Sequence, residues 1–507
     1  MRIDGCNITE SHAGLSRVVN EMRETRKPAI VIFQVDRISN HTNADDQSVY
    51  RSAEDIGRSA STRDPLVHCR NLLLESGMSE DEITSLEEEV REEVHQAADR
   101  SRRSPEPDSV FDAKRPLAPA YLKTEEYRGS HEGPAPEGEQ PSLTMIEAIR
   151  ESFRLRLEKD RRLSLFGEDI EDPKGDVFGI TKGLSTANPG RVLNSPLSES
   201  TIAGVSVGRA LAGGRPVGFI QFADFLPLAY NQIFSEMGSM YWRTDGGWEA
   251  PAILMITSGG YKPGLGPFHA SSLEALAVHT PGVDVVMPSS AGDAAGLLNA
   301  AYESGRPTLF FYPKNCLNDR NRATSPDIAK HFVPVGKARR IRSGSDISLI
   351  GWGNTIPLMA KTAAALEEKG VEVDLIDLRS LSPWDKDMVR ESVAASRRVI
   401  IAHEDNRSSG FGAEILAYLS EELSGGFSSR RVVREDTYVP CNFGNQLEVL
   451  PSYREILEAA VEMLQGDMDW DKPVSAGEGE FLVEAIGSSP SDEMVTVIEY
   501  LVKAGKR

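Results

Sequence analysis

Cysteine is scarce: four residues in 507, at Cys6, Cys69, Cys316 and Cys441. They stand too far apart for a CxxC metal pair and are too few for a disulfide framework, which fits a reducing, cytoplasmic setting. No stretch approaches the about 18 to 20 apolar residues of a membrane span, and the opening MRIDGCNITESH lacks the basic-then-apolar order of a signal peptide. Positive charge is also short, with 56 Lys and Arg against 77 Asp and Glu, a net charge of −21. That sign excludes a broad phosphate-neutralising surface, and with it nucleic acid and anionic membranes as partners. No Walker loop, HExxH, GxSxG or metal-spaced Cys/His cluster occurs.

The remainder has the composition of a folded protein, 40% hydrophobic and 26% charged. At roughly 150 residues per domain the length predicts about three domains. Pro28 to Val35, PAIVIFQV, is a near-continuous apolar run of the kind found in a strand covered on both faces. After a polar stretch, Ser79 opens a helix with Ile83, Leu86, Val90 and Val94 on one face and a glutamate-rich solvated face opposite. Prolines punctuate residues 104–141, a linker. Thr144 and Glu147 form a capping box that starts a helix from Met145 to about Lys159.

Beyond it, apolar runs at 216–222, 250–258, 283–288 and 307–313 read as buried parallel strands, separated by helical patterns. A second α/β alternation begins near residue 346: DISLIGWG, a helix capped by Thr355 and stopped at Gly370, the strand VEVDLIDLRSL, a further helix, and RRVIIAHE. It ends near Leu464. A second linker and a strand-like tail, FLVEAIG and VTVIEYLV, complete the chain.

Three places carry candidate chemistry. The loop SGGYKPGLGPFHASS ends in His269 at the carboxyl end of a strand, where open α/β sheets bind ligands; the same position suits a solvated loop histidine. Glu199, in NSPLSESTIAGVSVG, lies just before a helix of small residues and by itself is equally an acid serving a helix N-terminus. His41 sits in a polar loop with Arg37, Asp45, Asp46 and Arg51, a cluster that suits either solvent or a phosphate.

Longer phrases decide between these readings. Residues from about 142 to 465 resemble the beta subunit of the thiamine-diphosphate-dependent 2-oxo acid dehydrogenases, the decarboxylating components of pyruvate and branched-chain 2-oxo acid dehydrogenase complexes. The resemblance rests on FGEDIEDPKGDVFGITKGL, NSPLSESTIAGVSVG, IQFADF, GPFHASSLEALAVHTPGVDVVMPSS, DLRSLSPWD and HEDNRSSGFGAEI, in the family's order. RISNHTNADDQSVYRS and DPLVHCRNLLLESGMSEDEI resemble the end of the alpha subunit of the same enzymes.

The resemblance implies an α/β, transketolase-like thiamine-diphosphate-binding fold. It assigns 1–103 to a partial N-terminal remnant of the alpha-type diphosphate-binding domain, 104–141 to the linker and 142–325 to a pyrimidine-binding domain. A transketolase C-terminal domain follows at 326–465, a linker at 466–479 and a partial lipoyl-like domain at 480–507. Glu199 matches the acid that relays a proton at N1′ of the cofactor's aminopyrimidine. Leu197, Gln221 and Phe225 match residues lining that ring, Phe225 where a tyrosine is frequent. His269 matches the histidine of proton transfer during reductive acylation of the lipoyl group. His41 and Arg37 match the loop near the cofactor's terminal phosphate, with Asp45, Tyr50 and Arg51 ordering it.

The implied partners are a dihydrolipoyl acyltransferase, a small-molecule 2-oxo acid and a second copy of the chain. Asp45-Asp46 and Arg37-Ile38 favour a branched-chain substrate of the 3-methyl-2-oxobutanoate type. The family holds Mg²⁺ through a Gly-Asp-Gly…Asn motif. Here Gly175-Asp176 and Gly466-Asp467 are followed by Val and Met, so no metal ligand is assigned, and a fragment of a longer fusion is expected. The alternatives are a pyruvate or acetoin dehydrogenase component, a transketolase or deoxyxylulose-phosphate synthase relative, and a non-catalytic truncated scaffold.

Overall fold

A computed structural model describes residues 1–42, 45–105 and 143–465. The expected linkers at 104–141 and 466–479 lie almost entirely outside the described residues, and the lipoyl-like tail wholly so. The chain forms two compact units, Met1–Asp108 and Ser109–Arg507.

In the first unit a two-stranded parallel sheet pairs β1 (Arg2–Asp4) with β2 (Ile32–Gln34). The helix Ile8–Thr25 joins them, with Asn7 capping it by accepting from the Glu10 N–H. The sheet's small core is Ile3 against Gly14 and Val18, and a Cβ at Gly14 would collide with the Ile3 side chain. PAIVIFQV departs from expectation here. Only Ile32–Gln34 is strand, all three residues are exposed, and Ile30 and Val35 are 79% and 72% exposed. The physical reason is that β2, among the described residues, is the edge of a two-stranded sheet with a single strand neighbour, and its side chains stay open to solvent. An apolar run reports what a strand is able to bury, not what covers it.

The helix after Ser79 forms as Glu80–Arg103, with the Ser79–Glu82 capping box in place. Of its apolar stripe, however, only Ile83 is buried, while Leu86, Val90 and Val94 are exposed.

The second unit holds two sheets. The seven-stranded sheet contains β3 (Leu163–Gly167), β4 (Val192–Asn194), β5 (Arg215–Ile220), β6 (Ile253–Ser258), β7 (Asp284–Val286) and β8 (Thr308–Pro313). The five-stranded sheet is built from β9 (Arg339–Arg342), β10 (Ile347–Gly351), β11 (Val373–Asp377), β13 (Arg398–Asn406) and β14 (Ser428–Arg434). A short β12 (Ser380–Ser382) crosses back to the first sheet, giving the order β12-β7-β8-β6-β5-β3-β4. Every pairing among β3 to β8 is parallel, and in this sheet β12 alone runs antiparallel.

VEVDLIDLRSL is therefore two strands in two sheets rather than one. The break falls at Arg379, whose φ is +45° and whose buried guanidinium pairs with Asp293 at 2.7 Å. Thr355 is likewise the first residue of its helix and not its cap; its hydroxyl donates to Trp352 and Ala402 carbonyls. The capping box at Thr144 and the helix Met145–Lys159 form as the sequence predicts.

Helices Met145–Lys159 and Ala291–Ser304 cover one face of the large sheet. The other face, with helix Glu199–Leu211, shares one apolar layer with the five-stranded sheet, running from Leu254 and Met287 to Trp352 and Ile376.

Replacing buried Ile83 by Ala is expected to destabilise the first unit by about 2 to 5 kcal/mol, whereas Val90→Ala stays within about 0.5 kcal/mol. Urea unfolding followed by circular dichroism measures both.

Candidate active site

The strand order reverses at β3. From β3 the chain passes to β4 on one side and then returns to β5 on the other, so the loops leaving β3 and β5 part at their carboxyl ends. In open parallel sheets such a switch point is where ligands bind. Gln221, directly after β5, bridges it by donating Nε2–H to Asp169 Oδ2 at 2.9 Å. Asp169, two residues beyond β3, holds φ at +58° and pairs with Lys174 at 2.6 Å. Lys174 and Gln221 together hold its carboxyl below the usual range.

Glu199 is the first residue of helix Glu199–Leu211, not a residue ahead of it. It is half-buried, beside the amides that a carboxylate favours. Leu197, on the loop leading in, is 82% exposed. Next to Glu199 lies a residue to which sequence reasoning assigned no role, Glu168. It is 2% exposed, and its Oε1 has no hydrogen-bond partner. Burial, then repulsion from Glu199 and Asp169, push its carboxyl up to about 7, against the Ser198 N–H. Its signal was present in FGEDI, an acid directly after an apolar strand.

The loop after β6 carries His269, half-buried between two rings: Phe222 at 4.8 Å and Phe225 at 5.8 Å, both edge-on. Phe178 extends the aromatic wall, 6.3 Å from Phe222. Asp224 accepts the Ser271 N–H at 3.2 Å and pins the far end of this loop. Beneath Phe222 is Lys314, at the end of β8, wholly buried and 5.0 Å from the ring centroid. Burial brings its ammonium down to about 7, with Asp224 and Glu404 opposing.

Two phrases far apart in sequence meet behind the loop. Glu274 accepts from Trp352 Nε1 at 3.0 Å, and His403 stacks on Trp352 at 5.1 Å. Burial, and then repulsion from Asp405, push the Glu274 carboxyl well above its ordinary range, and burial lowers His403.

In the first unit, His41 and Arg37 lie on one exposed loop. The His41 N–H donates to Asp45 at 2.7 Å; Arg37 and Tyr50 are hydrogen-bonded, and Arg37 pairs with Asp45 at 3.4 Å. Arg51 braces the loop through the Arg37 carbonyl at 2.7 Å and Asp36 at 3.3 Å. Gln221, Glu168 and Glu199 thus gather at the switch point of the second unit, and His269 and Phe225 in the adjoining aromatic cluster.

The buried carboxyl of Glu168, with Oε1 unpartnered, stands beside Glu199 and fits an aminopyrimidine, whose ring nitrogens exchange protons with acids. A divalent cation finds no such match: among the described residues no group of three or more His, Cys, Asp or Glu side chains could hold one. Among the described residues, too, no helix is long and apolar enough to cross a membrane.

Glu168 carries a sign that can be checked. Its folded-state pKa lies above the ordinary 4.5, so the fold is favoured by the protonated carboxyl. That stability is fully present below about pH 4.5 and is lost as pH rises through about 7. Glu168→Gln is expected to raise the melting temperature at pH 8 and leave it unchanged at about pH 4.5, as read by calorimetry.

Comparison with known proteins agrees with this geometry. Residues 1–109 match the family described as "Dehydrogenase E1 component", 141–319 "Transketolase, pyrimidine binding domain", and 336–452 "Transketolase, C-terminal domain". The mitochondrial 2-oxoisovalerate dehydrogenase subunit beta of Dictyostelium discoideum is 37% identical over 286 residues, 56% of this chain and 76% of that protein. The pyruvate dehydrogenase E1 component subunit beta of Bacillus subtilis is 33% identical over 328 residues, 64% of this chain and 99% of its own. A solved structure described as "Split gene transketolase, inactive beta4 tetramer" shares the fold, with a TM-score of 0.51 and 20% identity over 64% of this chain and 99% of that one. With alpha-type and beta-type segments on one polypeptide, the chain belongs to the thiamine-diphosphate-dependent 2-oxo acid dehydrogenase E1 family.

Proposed function

We propose that the chain is the decarboxylating component of a cytoplasmic branched-chain 2-oxo acid dehydrogenase, acting on substrates of the 3-methyl-2-oxobutanoate type and passing the acyl group to the lipoyl group of a dihydrolipoyl acyltransferase. The observation that carries this reading is Glu199 at the N-terminus of its helix, beside a buried Glu168 whose Oε1 has no hydrogen-bond partner, at the switch point of a parallel sheet. Thiamine diphosphate, when bound, supplies a carbon nucleophile and an electron sink for the loss of carbon dioxide. Glu199 holds and releases a proton toward the aminopyrimidine, and Glu168, its carboxyl pushed up to about 7, is protonated more readily than an ordinary glutamate and so lessens the second negative charge beside it. Leu197, Gln221 and Phe225 line the ring.

His269 moves the proton of acyl transfer, while His41 and Arg37 address the terminal phosphate. Phe178, Phe222 and Phe225 offer an apolar wall to a branched side chain, and Asp45-Asp46 supports the same substrate class. No step is routed through Mg²⁺. Self-association is part of the proposal, supported by the tetrameric description of the related transketolase.

With thiamine diphosphate, Mg²⁺ and an intact alpha-type subunit added, the chain is expected to decarboxylate 3-methyl-2-oxobutanoate in preference to pyruvate. Glu199→Gln should lower kcat by about 10² to 10⁴ with the melting temperature retained; a fully active Gln variant removes the role of Glu199. Absence of cofactor heat in titration calorimetry under these conditions would favour a non-catalytic scaffold.

A further inference from the structure

The loop that carries His269 closes on itself at a narrow neck, where the Gly259 N–H donates to the Ser271 carbonyl at 3.1 Å. Two buried charged side chains grip that neck. Lys314 Nζ donates to the Gly259 carbonyl at 2.8 Å. Glu404, at the end region of β13 in the five-stranded sheet, accepts the Gly260 N–H on Oε1 at 2.8 Å, and its Oε2 accepts from Asn354 Nδ2 at 2.8 Å. The approach is too close for any side chain: Gly259 has φ +87°, and a Cβ there would collide with the Glu404 carboxylate and Asn354.

Lys314 is 0% and Glu404 4% exposed. Taking an ammonium and a carboxylate out of water costs several kcal/mol each, and apolar residues of similar volume are commonly at least as stable. Packing alone therefore does not explain why both charges are here. Lys314 also supports the Phe222 ring from below, and the His269 imidazole rests against that same ring.

We propose that Lys314 and Glu404 are positioning residues for His269, clamping the neck of loop 259–271 from the two sheets so that the imidazole meets Phe222 in a single orientation. The inference rests on the reading of His269 as the proton-transfer group of acyl transfer, and it assigns the five-stranded sheet a part in that step through Glu404 and Asn354. Neither clamp residue touches substrate.

The test uses the full 507-residue chain, with hydrogen exchange at amides 259–271 and the His269 ring-proton NMR shift as readouts; His269→Ala identifies that signal. Lys314→Met and Glu404→Ala are expected to speed exchange across the loop by about tenfold or more and to remove the ring-current shift that Phe222 imposes. Glu404→Gln, which keeps an oxygen for the Gly260 N–H, should restore most of the protection. Wild-type exchange and shift in both Lys314→Met and Glu404→Ala would overturn the proposal. If those variants fail to fold, Asn354→Ala is read in their place: faster loop exchange supports the clamp, and unchanged exchange overturns it. The chemical role of His269 is judged separately, from acyl transfer by His269→Ala with the alpha-type subunit. A wild-type rate there would remove that role and leave the clamp standing.

Discussion

The parallel pairing of β3 with β5, in the register Gly167 opposite Phe219, sets the position of every acid at the switch point. A Cβ at Gly167 would run into the backbone and side chain of Phe219, so the strands reach this spacing only with glycine there. Glu168 and Asp169 follow at once on one strand, and Gln221 on the other. Because β4 lies beyond β3 on the far side, helix Glu199–Leu211 must cross back over the sheet to reach β5. Its N-terminus, and Glu199 with it, thereby arrives at the same edge.

Burial then differentiates side chains of the same type. Glu168 and Glu199 are both glutamates within one loop's reach, yet one is closed off from water and driven toward its neutral form, while the other stays half-exposed on a helix terminus. The two glutamates therefore present different surroundings at one edge of the sheet, one closed off from water and one open to it. Burial acts likewise beneath His269, where it lowers the Lys314 ammonium to about 7. These groups cost stability where they stand, at the carboxyl edge of the large sheet.

The two sheets of the second unit act as one body. After β11 of the smaller sheet the chain crosses as β12 to pair with β7, a single apolar layer runs beneath both, and Trp352 stacks on His403 while donating to Glu274. The five-stranded sheet carries none of the residues first singled out for chemistry. Its contribution is to hold the His269 loop through Glu404.

Much of this was legible in the linear order of residues. Parallel strands separated by helices announce themselves as apolar runs because both faces are covered, and the Thr144–Glu147 spacing marked a helix start that the structure reproduces. The placement of Glu199 at the start of a helix and of His269 in the loop after a strand was legible as well. Coverage and neighbours were not. PAIVIFQV has the composition of a buried strand and lies exposed, because composition carries no information about what a second element places over it. VEVDLIDLRSL reads as one strand and divides between two sheets, because the partner that turns Arg379 aside, Asp293, is remote in sequence. The roles of Glu168, Lys314 and Glu404 depend on desolvation and on groups brought together from separate strands, and those are properties of the packed molecule alone.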